Sequence, residues 1–167
     1  TDYAADLDAD SLEGRRIGVW RGYYGAGESP DVAAIFDEVV AMIGQLGATV
    51  VDPVEMDVPE EAYDAEYEVL LYEFKTDLNR YLAASHVDPS IDSLTELIQF
   101  NRANAETVMP WFGQQDFEKA EAKGPLSEPA YLEALGKSHV RVAKIIDSIF
   151  DGHELDAVIA PTNGPCW

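Results

Sequence analysis

The chain has 167 residues, 32 acidic against 11 basic, a formal charge of −21, and a hydrophobic fraction of 47%. That is enough chain for one domain with a core, and it is too apolar for a disordered acidic tail. The charge argues against nucleic-acid and anionic-membrane partners, which need clustered Lys and Arg, and no apolar run approaches the ~20 residues of a membrane span.

The start, TDYAADLDAD, is acidic where a secretory leader is basic, so a cytoplasmic location is expected, with a leader ahead of residue 1 left open. Arg16 to Trp20 then reads as a short apolar strand, followed by a glycine-rich turn from Arg21 to Gly27. Ser29-Pro30-Asp31 marks a helix start: a serine cap, proline in the first turn, and an acid at the positive end of the helix dipole. Val32, Ile35, Phe36, Val39, Ile43 and Leu46 recur at helical spacing, and Gly47 supplies the stop. Ala48 to Val51 is a second strand, closed by Asp52-Pro53. A strand–helix–strand unit of this length implies a parallel, right-handed crossover.

A long helix is expected from about Val58 to Ala84, with Tyr63, Tyr67, Leu70, Leu71, Phe74, Leu78, Tyr81 and Leu82 on its apolar stripe. Pro89-Ser90 breaks it, and a shorter helix follows from Ser93 with Leu94, Leu97, Ile98 and Phe100. Met109 to Gln115 reads as loop, and Phe117 to Ala122 as one short helix before Gly124-Pro125. Glu128-Pro129 opens the last long helix, whose stripe is Tyr131, Leu132, Leu135, Val140, Val142, Ile145, Ile146 and Ile149. Leu155 to Pro161 is a third strand, apolar on both faces and so expected at the centre of a sheet. The fold class is α/β, helix-rich, with few, largely parallel strands. Three strands make a thin sheet for so many helices, which points to part of a larger domain.

Chemistry-bearing constellations are sparse. The glycine-rich turn lacks the spacing of a dinucleotide or Walker loop, and Glu28 and Asp31 would repel phosphate. His86, His139 and His153 share no ligand spacing, so no metal site is expected. The serines are scattered, several at helix starts where capping accounts for them, and no G-x-S-x-G elbow is present. Cys166 has no histidine near it in sequence to activate it, and as the single cysteine it forms no internal disulfide. Glu73, Lys75, Asp77 and Arg80 stand out because they interrupt an apolar helix, with Asp77 and Arg80 spaced to pair along one face.

Five segments together resemble the amidase signature family. They are Leu12-Glu13-Gly14-Arg15-Arg16-Ile17-Gly18-Val19; Leu46-Gly47-Ala48-Thr49-Val50-Val51; the run Tyr72-Glu73-Phe74-Lys75-Thr76-Asp77-Leu78-Asn79-Arg80-Tyr81-Leu82; Phe112-Gly113-Gln114; and Leu155 through Ala160-Pro161-Thr162-Asn163-Gly164-Pro165. The third, fourth and fifth are most similar to the peptide-amidase-type branch. The resemblance implies a larger mixed-sheet domain that hydrolyses a carboxamide C–N bond to acid and ammonia. It implies a serine nucleophile, a bridging serine in a cis peptide, and a lysine base, without a cofactor. The substrate class is a small-molecule or peptide amide.

The Gly/Ser-rich signature that carries that chemistry is absent from this sequence, so no residue here inherits a catalytic role, and Lys75 stands in a different motif. The chain is therefore expected to be one partial domain over residues 1–167, incomplete at both ends and non-catalytic alone. By the same resemblance, Tyr81, Phe112, Gln114, Thr162 and Asn163 are expected to line the substrate cleft of the full enzyme. The competing reading is core packing for Tyr81 and Phe112, and strand-end capping for Thr162 and Asn163. A stand-alone acidic α/β binding module without activity is the alternative function. A cut sheet also implies self-association through exposed strand edges.

Overall fold

The computed structural model describes residues 10–22, 29–85 and 90–161. In chain order the elements are β1 (Arg16–Val19), α1 (Pro30–Gln45), β2 (Thr49–Val51), α2 (Glu60–Ser85), α3 (Leu94–Ala103) and α4 (Ala105–Val108). There follow α5 (Gln115–Glu121), α6 (Pro129–Leu135), a π turn (Gly136–Val140), α7 (Arg141–His153) and β3 (Ala157–Ile159). Residues 23–28, 86–89 and 162–167 lie outside the described residues, and with them most of the glycine-rich turn, His86, Thr162, Asn163 and Cys166. None of the described helices is long and apolar enough to cross a membrane. The chain divides into two compact units, Thr1–Val58 with Ala143–Trp167, and Pro59–Val142.

The first unit holds the sheet. Both strand pairings are parallel, in the order β2-β1-β3. The helical class and the parallel sense follow the sequence expectation, but the centre of the sheet does not. β1 occupies it, and β3 flanks it. At Gly18 of β1 an added Cβ would lie 2.7 Å from Leu155 Cδ1 and 3.1 Å from Val54 Cγ1. Without a side chain there, Leu155 and Val54 close over β1, and Ile17 and Val19 are buried with them. Val54, Ile149 and Leu155 form the core, with Trp20, Met56, Ile145 and Phe150 packed around it.

α1 starts as its sequence dictates. Ser29 caps it by accepting from the Val32 amide, and Pro30 opens the first turn. It ends in a paired closure, Gly47 N–H to the Gly44 carbonyl and Ala48 N–H to the Ile43 carbonyl, with Gly47 at φ +92°. Its apolar stripe is split. Val32, Phe36 and Ile43 are half-buried, whereas Ile35, Val39, Met42 and Leu46 are exposed.

The second unit is built around α2, which packs against α3, α5, α6 and the π turn. Its buried residues are Ala62, Ala65, Leu71 and Tyr72. Tyr63, Tyr67, Leu70 and Tyr81, expected on the apolar stripe, are exposed. The small alanines at the first turns let neighbouring helices approach there, which a search for large apolar residues overlooks. Leu71, Leu94, Ile98 and Ala120 form the core of this unit, with Phe74, Leu78 and Phe117 packed against it. The last long helix is continuous from Pro129 but contains the π turn, where Ser138 is buried and its hydroxyl donates to the Ala134 carbonyl. Tyr131, Ala134 and Ser138 face inward at ordinary helical spacing, and Leu132 and Val140 are exposed.

Candidate functional site

The charged run on α2 is the most connected feature of the second unit. The Tyr131 hydroxyl of α6 donates to Glu73 Oε1 at 2.8 Å. Lys75 Nζ donates to the carbonyls of Glu121 and Lys123, at 2.6 and 2.7 Å, at the end of α5. Asn79 Oδ1 accepts from the Leu94 amide at 2.7 Å, at the first residue of α3. The chemistry matches each end: a cation meets the carbonyl-rich end of one helix, and an acceptor meets the amide-rich end of another. Asp77 and Arg80 pair at 2.6 Å on the exposed side, as their spacing indicates. Lys75 is thus a structural tie between α2 and α5. Lys75 and Asn79, four residues apart on one helical face, are the sequence signal for two docked helices.

Two tyrosines beside this run are polarised by carboxylates. The Tyr131 hydroxyl is pushed above its ordinary pKa by its hydrogen bond to Glu73, and that of Tyr72 by its bond to Glu128 at 2.7 Å. The rings of Tyr72 and Tyr131 lie 5.6 Å apart, and Lys123 Nζ stands 5.4 Å from the Tyr72 centroid.

The expected cleft residues of this unit fall in separate settings. Tyr81 is 66% exposed near the end of α2, and Phe112 is 79% exposed in the loop before α5. Gln114 is engaged internally: its Oε1 accepts from Asn101 at 3.1 Å, and its Nε2 donates to the Ile98 carbonyl at 3.2 Å. It anchors the exposed Trp111-Phe112 segment to α3. A small open groove of about 180 Å³ lies between α3 and α5, lined by Thr95, Ile98, Gln99, Arg102, Glu118 and Glu121, and it includes none of the three.

In the first unit, the carboxyl ends of β1 and β2 carry an ion-pair cluster that motif reading does not reveal. Arg21, two residues beyond β1, makes a bidentate pair with Asp52, one residue beyond β2, both bonds 2.6 Å. It also donates to Asp37 of α1 at 2.8 Å and stands 5.9 Å from the Phe36 centroid. The paired guanidinium holds the Asp52 carboxyl below its ordinary range and makes Arg21 still harder to deprotonate. The available signal is an Arg and an Asp just past two strands expected to lie side by side. Carboxyl ends of parallel strands are where open α/β sheets place ligands. Among the described residues, no group of three His, Cys, Asp or Glu side chains is placed to hold a metal ion.

A model of the amidase family matches residues 2–166. The chain belongs to that family. The amidase-family assignment agrees with a solved peptide amidase from Stenotrophomonas maltophilia, 36% identical with a TM-score of 0.88, covering 100% of this chain and 34% of that one. Among sequences, a glutamyl-tRNA(Gln) amidotransferase subunit from Bordetella pertussis is 39% identical over 94 residues, 55% of this chain and 18% of its own length. The corresponding protein of Pseudomonas savastanoi pv. phaseolicola is 28% identical over 173 residues, 99% of this chain and 34% of its own. The chain therefore spans about a third of the peptide amidase and of the longer sequence match. The run from Tyr72 to Leu82, one of the five segments of the resemblance, bonds to α3, α5 and α6.

Proposed function

We propose that this chain is a scaffold and cleft-wall segment of a serine-dependent amidase, one part of a larger single domain, and that it performs no catalysis alone. The observation that carries the reading is the match of the whole chain to a third of a peptide amidase, combined with a sequence that lacks the Gly/Ser-rich signature. The reaction is cleavage of a carboxamide C–N bond to acid and ammonia in the cytoplasm, with a small-molecule or peptide amide as substrate. The serine nucleophile, its oxyanion-hole amides and the lysine base come from family sequence not contained in these 167 residues.

In this reading Tyr81 and Phe112 present exposed rings to the substrate, and Gln114 contributes by holding the loop that carries Phe112. Thr162 and Asn163 are assigned to substrate binding by the family resemblance alone. The two flanking strands, β2 and β3, offer edges for self-association. Light scattering at high protein concentration is expected to show oligomers, and a clean monomer contradicts that part.

The direct test is ammonia release from an N-protected dipeptide amide by the purified chain. No turnover above the blank is expected. Turnover that a single substitution within these residues abolishes would overturn the proposal. In a full-length protein carrying this segment, Phe112→Ala is expected to raise KM about tenfold, a loss of about 1.4 kcal/mol of binding, with kcat little changed.

A further inference from the structure

The charge of −21 has a structural counterpart that fixes its consequence. At least nine of the eleven basic residues are already engaged in intramolecular ion pairs, at 2.5–3.7 Å. The remaining carboxylates have almost no cationic side chain left to neutralise them. The imbalance is densest at the start of α2, where Glu60, Glu61, Asp64, Glu66 and Glu68 fall within nine residues without a Lys or Arg among them. Glu61 is relieved by Arg141 and Glu68 by Lys123. Glu60, Asp64 and Glu66 are exposed, and Asp64 follows Glu60 by one helical step of four.

Distance decides how salt acts on these two populations. Like charges four apart on a helix sit about 6 Å apart. The screening length is about 10 Å at 0.1 M salt and about 3 Å at 1 M. At 0.1 M salt about half of each repulsion therefore survives, and near-molar salt removes most of it. The ion pairs, at 2.5–3.7 Å, are weakened less than the repulsions because their charges are closer.

We propose that the folded state of this chain depends on a dense monovalent-cation atmosphere, and that the acidic first turns of α2 set much of that dependence. The test compares thermal unfolding, followed by circular dichroism, of the chain and of the triple variant Glu60→Gln, Asp64→Asn, Glu66→Gln, each in 0.1 M and 2 M KCl. The melting temperature of the parent is expected to rise by about 5 °C or more with salt. The variant is expected to gain less from 2 M KCl than the parent does. A cooperative transition for the parent only at high salt supports the proposal equally. A parent melting temperature that is flat or falls with KCl overturns it, as does a variant whose gain equals the parent's, or no cooperative transition at either concentration.

Discussion

The two units bury their helices in different ways. In the first, α1 contributes no fully buried residue, and four apolar side chains of its stripe face outward. In the second, α2 is gripped along its length by a core of Leu71, Leu94, Ile98 and Ala120 and by polar ties to three neighbouring helices. Periodicity alone describes both helices as amphipathic. What separates them is whether the polar residues have partners. On α2 the charged positions hold helix ends, so polar chemistry specifies which helices dock and where they stop. Among the described residues, the polar side chains of α1 hold no other helix end, and Asp37 bonds instead to Arg21.

That contrast is sharpest at single sites. Leu94→Ala, at a fully buried position receiving α2, is expected to cost about 3 kcal/mol in a denaturant titration. A loss below about 1 kcal/mol would mean that this core is loosely packed. Asp52→Asn is expected to cost about 1 kcal/mol at neutral pH and low salt, a value reduced for the solvent around a 40%-exposed Arg21. The sign with pH follows from Asp52. Its folded value is lowered by Arg21, so the pair contributes fully above the unfolded value of ~3.9 and fades as pH falls through the folded one. Stability curves of parent and variant should thus separate above pH ~4 and converge below it. Curves that stay parallel into acid would remove the ion pair as the cause. The smallest effect is expected for Ile35→Ala on the open stripe of α1, within about 0.5 kcal/mol of the parent. A loss comparable to Leu94→Ala would erase the distinction between the units.

Much of this fold is legible in the sequence. The Ser29-Pro30 start and Gly47 stop of α1, the Ser93 cap of α3 and the parallel pairing of β1 with β2 are local or near-local chemistry, written in neighbouring residues. The centre of the sheet is not legible, because both β1 and β3 are apolar and only the fold shows the order β2-β1-β3. The buried alanines of α2 and the π turn at Gly136–Val140 escape as well: close approach and an extra residue leave no large apolar mark. At the candidate site, Tyr81 and Phe112 stand exposed, and Gln114 turns inward to hold a loop. Thr162 and Asn163 fall outside the described residues. The charge of Lys75 within an apolar helix is visible in the sequence. Its actual partners, two carbonyls some fifty residues away in sequence, require the fold.

The central claim is that the charged run of α2 is a scaffold joining helices. Thermal unfolding of Lys75→Met against the parent tests it most directly, since methionine keeps most of the length of the side chain and removes the donor. A loss of about 1–2 kcal/mol is expected, from two carbonyls of the α5 end left without their charged partner. An unchanged melting temperature would contradict it.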